Sequence, residues 1–157
     1  MAQRLTFQET PREVLDVLMR TENYLNESGL DHKLLELMKY RVSQINGCAR
    51  CLDIHHKEAI KLGETEQRLH TVAAWRDCTY YTDKERAVLA FAEALTKISE
   101  EDIDDELYNT LSGLFSKREI VDLTLAVTQI NTWNRLNRTF RMGPGNRVTA
   151  DAAQAAQ

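Results

Sequence analysis

The stretch that decides the fold is DHKLLELMKYRVSQINGCARCLDIHHKEAIKL, residues 31–62. Its first half carries apolar residues at the spacing of one helix face. Asp31 is a good N-cap for that helix, and Asn46-Gly47 is a turn signal that ends it. A second helix is predicted from about Cys48 to Leu62, where Gly63 ends it. The stretch is therefore predicted to be two helices joined by a short turn.

Helix signals also run through the rest of the chain. Capping boxes, in which a Ser or Thr N-cap is followed three residues later by glutamate, are predicted at Thr10, Thr82 and Ser116. No stretch predicts a strand, so the fold class is all-α, a bundle of about seven helices. The other predicted helices are those from Thr10 to Gly29, Thr65 to Trp75, Thr82 to Ile98, Asp104 to Leu114 and Ser116 to Arg141. The first of them carries an apolar stripe made of Val14, Leu15, Leu18 and Met19.

Length and composition fit one globular domain. The chain has 157 residues, of which 43% are hydrophobic and 28% charged, enough apolar material for one core. We predict a helical domain at residues 1–143, because Gly143-Pro144-Gly145 ends the last helix. The small, polar residues that follow predict a flexible tail at 144–157.

The charge and hydropathy of the chain exclude two classes of partner. A formal net charge of −4 gives no basic footprint for nucleic acid or for an anionic membrane. No apolar run approaches the roughly 20 residues of a membrane-spanning helix, and the N-terminal sequence has no secretory signal. We therefore predict a cytoplasmic protein. Arg135, Arg138 and Arg141 recur every three residues, and we interpret them as subunit salt bridges or a solvated face.

The helix that begins at Cys48 carries the residues with the most chemistry. On a helix of 3.6 residues per turn, Cys48, Cys51 and His55 fall within an arc of roughly 60°. The two sulfurs are then close enough to bridge, and the imidazole lies one turn beyond the second sulfur. The helix N-terminus and a histidine that accepts the Cys51 proton both favour the thiolate. A thiolate can attack an O–O or S–S bond, and the neighbouring sulfur can resolve the resulting sulfenic acid as a disulfide.

Other interpretations of these residues stay open. A CxxC pair on a helix can be packing alone. Cys48, Cys51 and His55 can also be three ligands of a zinc ion, although no second paired motif supplies the fourth. A c-type haem is excluded because Leu52, not histidine, follows the second cysteine. The third cysteine, Cys78, is interpreted as a bystander.

Taken together, these residues resemble the AhpD-like alkylhydroperoxidase family, within the carboxymuconolactone decarboxylase superfamily. The family pattern is a glutamate on one helix and CxxCxxxH on the next; the matching residues here are Glu36, Cys48, Cys51 and His55. The glutamate stands twelve positions before the first cysteine, as it does in the family. Matching segments further along extend the resemblance over roughly residues 30–143.

The resemblance implies an antioxidant enzyme that reduces alkyl hydroperoxides with its dithiol. By the family's roles, Cys51 is the peroxidatic sulfur and Cys48 is the proton donor and resolving sulfur. Glu36 and His55 form the relay that activates Cys51, provided that the two helices pack antiparallel. Arg50 stands where many members carry histidine or an aromatic residue, and its charge is expected to favour the thiolate.

The resemblance also bears on cofactors and partners. It implies neither an organic cofactor nor a metal, because the electrons come from a thiol or a dihydrolipoyl-type reductant. It implies a homo-oligomer, commonly a trimer or hexamer in the family. Two other functions are weighed. A carboxymuconolactone decarboxylase-type enzyme acts on lactone acids without a cysteine pair, so the presence of both cysteines argues against it. A non-catalytic redox-sensing module uses the same pair, and the sequence does not separate it from a peroxidase.

Overall fold

This computed structural model describes residues 2–145, which contain seven α-helices and one 3₁₀ helix. No strand occurs within that range, so the predicted all-α class is confirmed. The elements are α1 (Arg12–Glu27), α2 (His32–Ile45), α3 (Ala49–Lys61), α4 (Glu66–Thr71), the 3₁₀ helix (Val72–Asp77), α5 (Asp83–Thr96), α6 (Asp105–Leu114) and α7 (Lys117–Thr139). Of the predicted flexible tail, residues 146–157 lie outside the described residues.

Side-chain caps determine where most of these helices begin. The carboxylate of Asp31 accepts hydrogen bonds from the amides of Lys33 and Leu34 in the first turn of α2. The capping boxes predicted at Thr82 and Ser116 are both present. In each box the hydroxyl accepts from the glutamate amide while the glutamate carboxylate accepts from the N-cap amide, so two otherwise unpaired amides are satisfied.

The first helix differs from the prediction at its cap and on its apolar face. The capping box predicted at Thr10 is wrong, because Pro11 takes the N-cap position. The Thr10 hydroxyl instead donates to the carbonyl of Thr6 at 3.1 Å. Of the predicted apolar stripe, Val14 and Met19 are 43% and 48% exposed. The reason is that α1 packs chiefly against one helix, α7, which covers only part of its surface.

Three later helices differ from their predicted bounds, and α5 ends at Thr96 instead of Ile98. The helix predicted from Thr65 to Trp75 is α4 followed by the 3₁₀ helix. The last helix, α7, ends at Thr139. Arg141 lies beyond it with a φ of 55°, outside helical geometry. The predicted arginine stripe on this helix is therefore reduced to Arg135 and Arg138.

The second and last helices lie at the centre of the fold. α2 packs against α3, α5 and α7, and α7 also contacts α1 and α6. The larger buried cluster lies among these helices and includes Cys48 and Cys51. A smaller cluster, with Trp75 and Tyr81, packs beside the 3₁₀ helix. No helix among residues 2–145 is long and apolar enough to cross a bilayer.

Candidate active site

The turn between α2 and α3 folds the two helices back on each other. Gly47 adopts a φ of 62°, a left-handed conformation that glycine accepts without strain. Residues early in α2 therefore lie beside residues late in α3. Lys33 Nζ donates to the Gly63 carbonyl at 3.1 Å, and Glu36 Oε2 lies 2.7 Å from His55 Nδ1. The contact predicted between Glu36 and His55 is thus present.

The cysteine pair lies at the start of α3. Cys48 is the N-cap residue, and its Sγ accepts a hydrogen bond from the Cys51 amide at 3.4 Å. The two Cα atoms are 5.3 Å apart, and the sulfurs are joined as a disulfide. Both residues are only 2% exposed. The pair therefore belongs to the larger buried cluster and not to the surface.

His55 follows Cys51 by four residues on the same face of α3, one turn or roughly 6 Å along the axis. Its imidazole is 14% exposed. The hydrogen bond to Glu36 engages Nδ1. A carboxylate partner holds Nδ1 as the N–H nitrogen, so Nε2 is left as the proton acceptor. This tautomer is the one that can take a proton from a thiol.

Glu36 is a buried carboxylate whose neighbours favour its ionised form. Its second oxygen accepts from Lys39 Nζ at 3.1 Å. Lys39 also lies 3.6 Å from Glu22, whose other oxygen accepts from the Trp133 indole at 2.8 Å. Burial raises the pKa of Glu36, but the hydrogen bond and charge of His55, together with Lys39, outweigh it and lower that pKa to about 2. Glu36 is therefore ionised at neutral pH.

The lowered pKa of Glu36 predicts a loss of stability in acid. Because the folded-state pKa lies below the ordinary value of 4.5, the ionised carboxylate stabilises the fold above about pH 4.5. That contribution is lost as the pH falls from 4.5 through about 2. We expect the melting temperature of the wild type to fall over this window by several degrees more than that of Glu36→Gln. Thermal unfolding of both proteins, followed by circular dichroism at a series of pH values, measures this difference in melting temperature.

A control for this prediction is Glu27→Gln, which removes an exposed carboxylate near the end of α1. Its acid sensitivity should follow that of the wild type. If Glu36→Gln loses stability in acid as steeply as the wild type, the ionised Glu36 carboxylate does not stabilise the fold.

Two residues of the site were missed from the sequence. Asn137, on α7, is 4% exposed and donates from Nδ2 to Cys51 Sγ at 3.3 Å. Lys39 is 5% exposed and completes the ion pair with Glu36. Signals for both exist: Lys39 follows Glu36 by three residues on one helix, and Asn137 is the last of three asparagines spaced three apart on α7.

Arg50, between the two cysteines, lies against both ends of the described chain. Its guanidinium donates to the Gly143 carbonyl at 3.1 Å and lies 4.8 Å from the ring centre of Phe7. Its expected effect on the Cys51 thiolate stays a prediction. Cys78 is a free, half-buried cysteine that packs on the smaller cluster, apart from the pair. Among residues 2–145, no group of three His, Cys, Asp or Glu residues is arranged to hold a metal ion.

The fold and the site define an all-helical protein with a cysteine pair at a helix N-terminus and a carboxylate-bound histidine one turn further on. The chain belongs to the carboxymuconolactone decarboxylase family, whose model matches residues 12–94. Within the family it is AhpD-like, as the sequence resemblance predicted. The family and the cysteine pair fit an antioxidant role and enzymatic activity of some kind.

Three similar proteins support this assignment. The uncharacterized protein YdfG of Bacillus subtilis is 39% identical over 150 residues, which are 96% of this chain and 99% of YdfG. Alkyl hydroperoxide reductase AhpD of Streptomyces coelicolor is 38% identical over 71 residues, 43% of this chain and 40% of AhpD. The third is a crystal structure from Agrobacterium tumefaciens, of a protein of unknown function suggested to be the antioxidant defence protein AhpD. It matches with a TM-score of 0.88 and 40% identity, covering 93% of this chain and 100% of that chain.

Proposed function

We propose that this protein is a dithiol peroxidase that reduces alkyl hydroperoxides through Cys48 and Cys51. The observation that carries the proposal is the 2.7 Å contact between Glu36 and His55, one turn from Cys51. A histidine held by an ionised carboxylate is a base in a fixed orientation. The helix N-terminus adds to its effect by favouring a negative charge on sulfur. The thiolate that results is the form of cysteine that attacks peroxides.

The first half of the proposed cycle consumes the peroxide. His55 takes the proton of Cys51, and the thiolate attacks the outer oxygen of ROOH. The S–O bond forms as the O–O bond breaks, which leaves a sulfenic acid on Cys51 and an alkoxide. The alkoxide takes the proton of Cys48 and leaves as the alcohol ROH. Cys48 thereby becomes the thiolate that the next step requires.

The second half forms and then reduces the disulfide. The Cys48 thiolate attacks the Cys51 sulfur, so that the S–S bond forms and hydroxide leaves. The hydroxide takes the proton from His55 and becomes water. An external dithiol, of the dihydrolipoyl type or another thiol donor, then supplies two electrons and two protons through thiol–disulfide exchange. Each cycle converts one hydroperoxide and one dithiol into alcohol, water and the oxidised donor.

We place this chemistry in the cytoplasm, as the sequence analysis predicts. We also place it in a homo-oligomer, a trimer or hexamer, as the family resemblance implies. Val14 and Val17, three residues apart on α1, are 43% and 55% exposed. The two side chains share one face of α1 and are available for a subunit contact.

The test is peroxide consumption by the whole chain with dihydrolipoamide as the donor and tert-butyl hydroperoxide as the substrate. We expect many peroxide molecules reduced per protein, and none beyond the first without the donor. Cys78→Ser is the matched control and should retain the rate. One fast oxidation that the donor does not turn into a cycle would favour the redox sensor. Absence of any reaction with peroxide, together with turnover of a lactone acid, would favour the decarboxylase.

A reversible disulfide between Cys48 and Cys51 is expected after mild treatment of the reduced protein with peroxide. Arg50 lies between the cysteines, so trypsin releases them on separate peptides, residues 42–50 and 51–57. The oxidised sample should contain these peptides joined, two hydrogens lighter than their sum, and dithiothreitol should separate them. If the only disulfide found involves the peptide that contains Cys78, the assignment is contradicted.

A further inference from the structure

Asn137 is a buried amide whose side chain has one partner among residues 2–145, and that partner is the sulfur of Cys51. Nδ2 donates to Sγ at 3.3 Å. The residue is 4% exposed, and Oδ1 is buried without a hydrogen-bond partner in the described part of the chain. One half of the amide thus contacts the proposed reacting atom while the other half is unused.

The two preceding asparagines on the same helix show what a structural amide looks like here. Asn131 and Asn134 are both buried, and the oxygen of each accepts from the Asn46 side chain, at 2.9 and 2.8 Å. Their amide nitrogens donate to side-chain hydroxyls at 3.0 and 3.1 Å. Both residues use both ends of the amide to join α7 to neighbouring helices. Buried polar atoms that stay unpaired are rare in native proteins, so Asn137 differs from a packing residue.

We propose that Asn137 is a catalytic residue of the peroxidase, which donates to the Cys51 thiolate and accepts from the hydroxyl that the peroxide leaves on it. The proposal rests on the function given above. A disulfide sulfur is a weak acceptor, whereas an ionised one takes a stronger, charge-assisted hydrogen bond. The Nδ2–Sγ contact is therefore stronger in the reduced enzyme than in the oxidised one. It stabilises the thiolate without adding a charge to the buried cluster.

The unpaired oxygen has a use at the next stage. Attack on ROOH leaves the outer oxygen and its hydrogen on the sulfur as S–O–H. Cys51 is packed among apolar side chains, where a hydroxyl without an acceptor is costly. Oδ1 belongs to the same amide as the nitrogen that contacts the sulfur. It can therefore accept this hydrogen, and that of the incoming hydroperoxide, without any rearrangement of the backbone.

The test measures the pH dependence of Cys51 alkylation by iodoacetamide in the Cys48→Ser, Cys78→Ser background, where Cys51 is the single thiol. Serine is a good N-cap and keeps the start of α3. Asn137→Leu removes the donor, so we expect the midpoint of the alkylation profile to rise by about one pH unit. At a pH below the midpoint, this shift is a tenfold decrease in the fraction of Cys51 that is thiolate. Asn137→Asp keeps the shape but places a charge at the sulfur, so its midpoint should rise further.

The control is Gln129→Leu. Gln129 is 6% exposed on the same helix and donates to the Leu18 carbonyl at 3.0 Å, eight residues or roughly 12 Å from Asn137. The Gln129→Leu variant should have a lower melting temperature and an unchanged midpoint of the alkylation profile. If Asn137 is merely structural, Asn137→Leu should keep the wild-type midpoint, and that result would overturn the proposal. If Asn137→Leu does not fold, Asn137→Ala decides in the same way, because it removes the same donor without adding bulk or charge. Alkylation needs no peroxide, so failure of the peroxidase proposal would appear only in the turnover assay.

Discussion

Cys51→Ser is expected to abolish peroxide reduction, with turnover falling on the order of 10³-fold or more to the uncatalysed background. A serine hydroxyl stays protonated at neutral pH, so His55 no longer has a readily ionised group beside it. The hydroxyl also forms neither a sulfenic acid nor a disulfide, and both halves of the cycle stop. The fold should survive, because the change is one atom and the Asn137 amide can donate to the new oxygen. Peroxide consumption with the dithiol donor measures the loss.

Cys48→Ser should separate the two halves of the reaction. Cys51 still lies one turn from His55, so the first oxidation should proceed. Without a resolving sulfur, the sulfenic acid should accumulate on Cys51, where dimedone traps one equivalent per chain while sustained turnover is lost. The site of trapping is identified by mass analysis of the tryptic peptides. If Cys51→Ser protein is trapped at Cys48 at an equal rate, the roles of the two cysteines are not those assigned here.

Local sequence signals predicted the fold well where one side chain and its own helix decide the outcome. The boxes at Thr82 and Ser116 formed because hydroxyl and glutamate are both in place within one turn. The box at Thr10 did not form because the hydroxyl has a competing acceptor, the Thr6 carbonyl, in the segment before the helix. Such competition depends on the path of the chain before α1, which the helix pattern does not determine.

The contacts of the candidate site also include one that a local pattern predicts and one that it does not. The contact between Glu36 and His55 followed from two helices and a glycine turn, because an antiparallel hairpin fixes which residues face each other. The contact of Asn137 with Cys51 joins residues 86 apart in the sequence. It depends on how α7 crosses the hairpin, and no local pattern determines that crossing. The resemblance supplied the cysteine and relay residues but not this partner.

Glu36→Gln is expected to slow peroxide reduction by roughly tenfold or more, within the usual range for acid–base catalysis. The carboxylate lies 2.7 Å from His55 Nδ1 and is ionised because its pKa is about 2. A neutral amide no longer favours the imidazolium that forms when His55 takes the Cys51 proton. The apparent pKa of Cys51 should therefore rise. Two measurements follow this change: steady-state turnover, and the rate of Cys51 alkylation at neutral pH.

Structural damage has to be separated from loss of the relay. Lys39 keeps Glu22 at 3.6 Å when Glu36 becomes neutral, so the buried ammonium retains one partner and the fold should survive. A matched control is Glu93→Gln, which removes another buried carboxylate with a lowered pKa. Burial raises the pKa of Glu93, but hydrogen bonds from Arg76 and Arg41 outweigh it. The Glu93→Gln variant should have a lower melting temperature and an unchanged rate of Cys51 alkylation.

The two variants together decide what Glu36 does. If Glu36→Gln and Glu93→Gln both lower the melting temperature but only Glu36→Gln slows turnover and alkylation, the carboxylate acts on Cys51 through His55. If Glu36→Gln folds and both rates stay at the wild-type level, Glu36 is an ion-pair partner of Lys39 and no more. Activation of Cys51 would then rest on His55, the helix N-terminus and the amide of Asn137, which already contacts the sulfur.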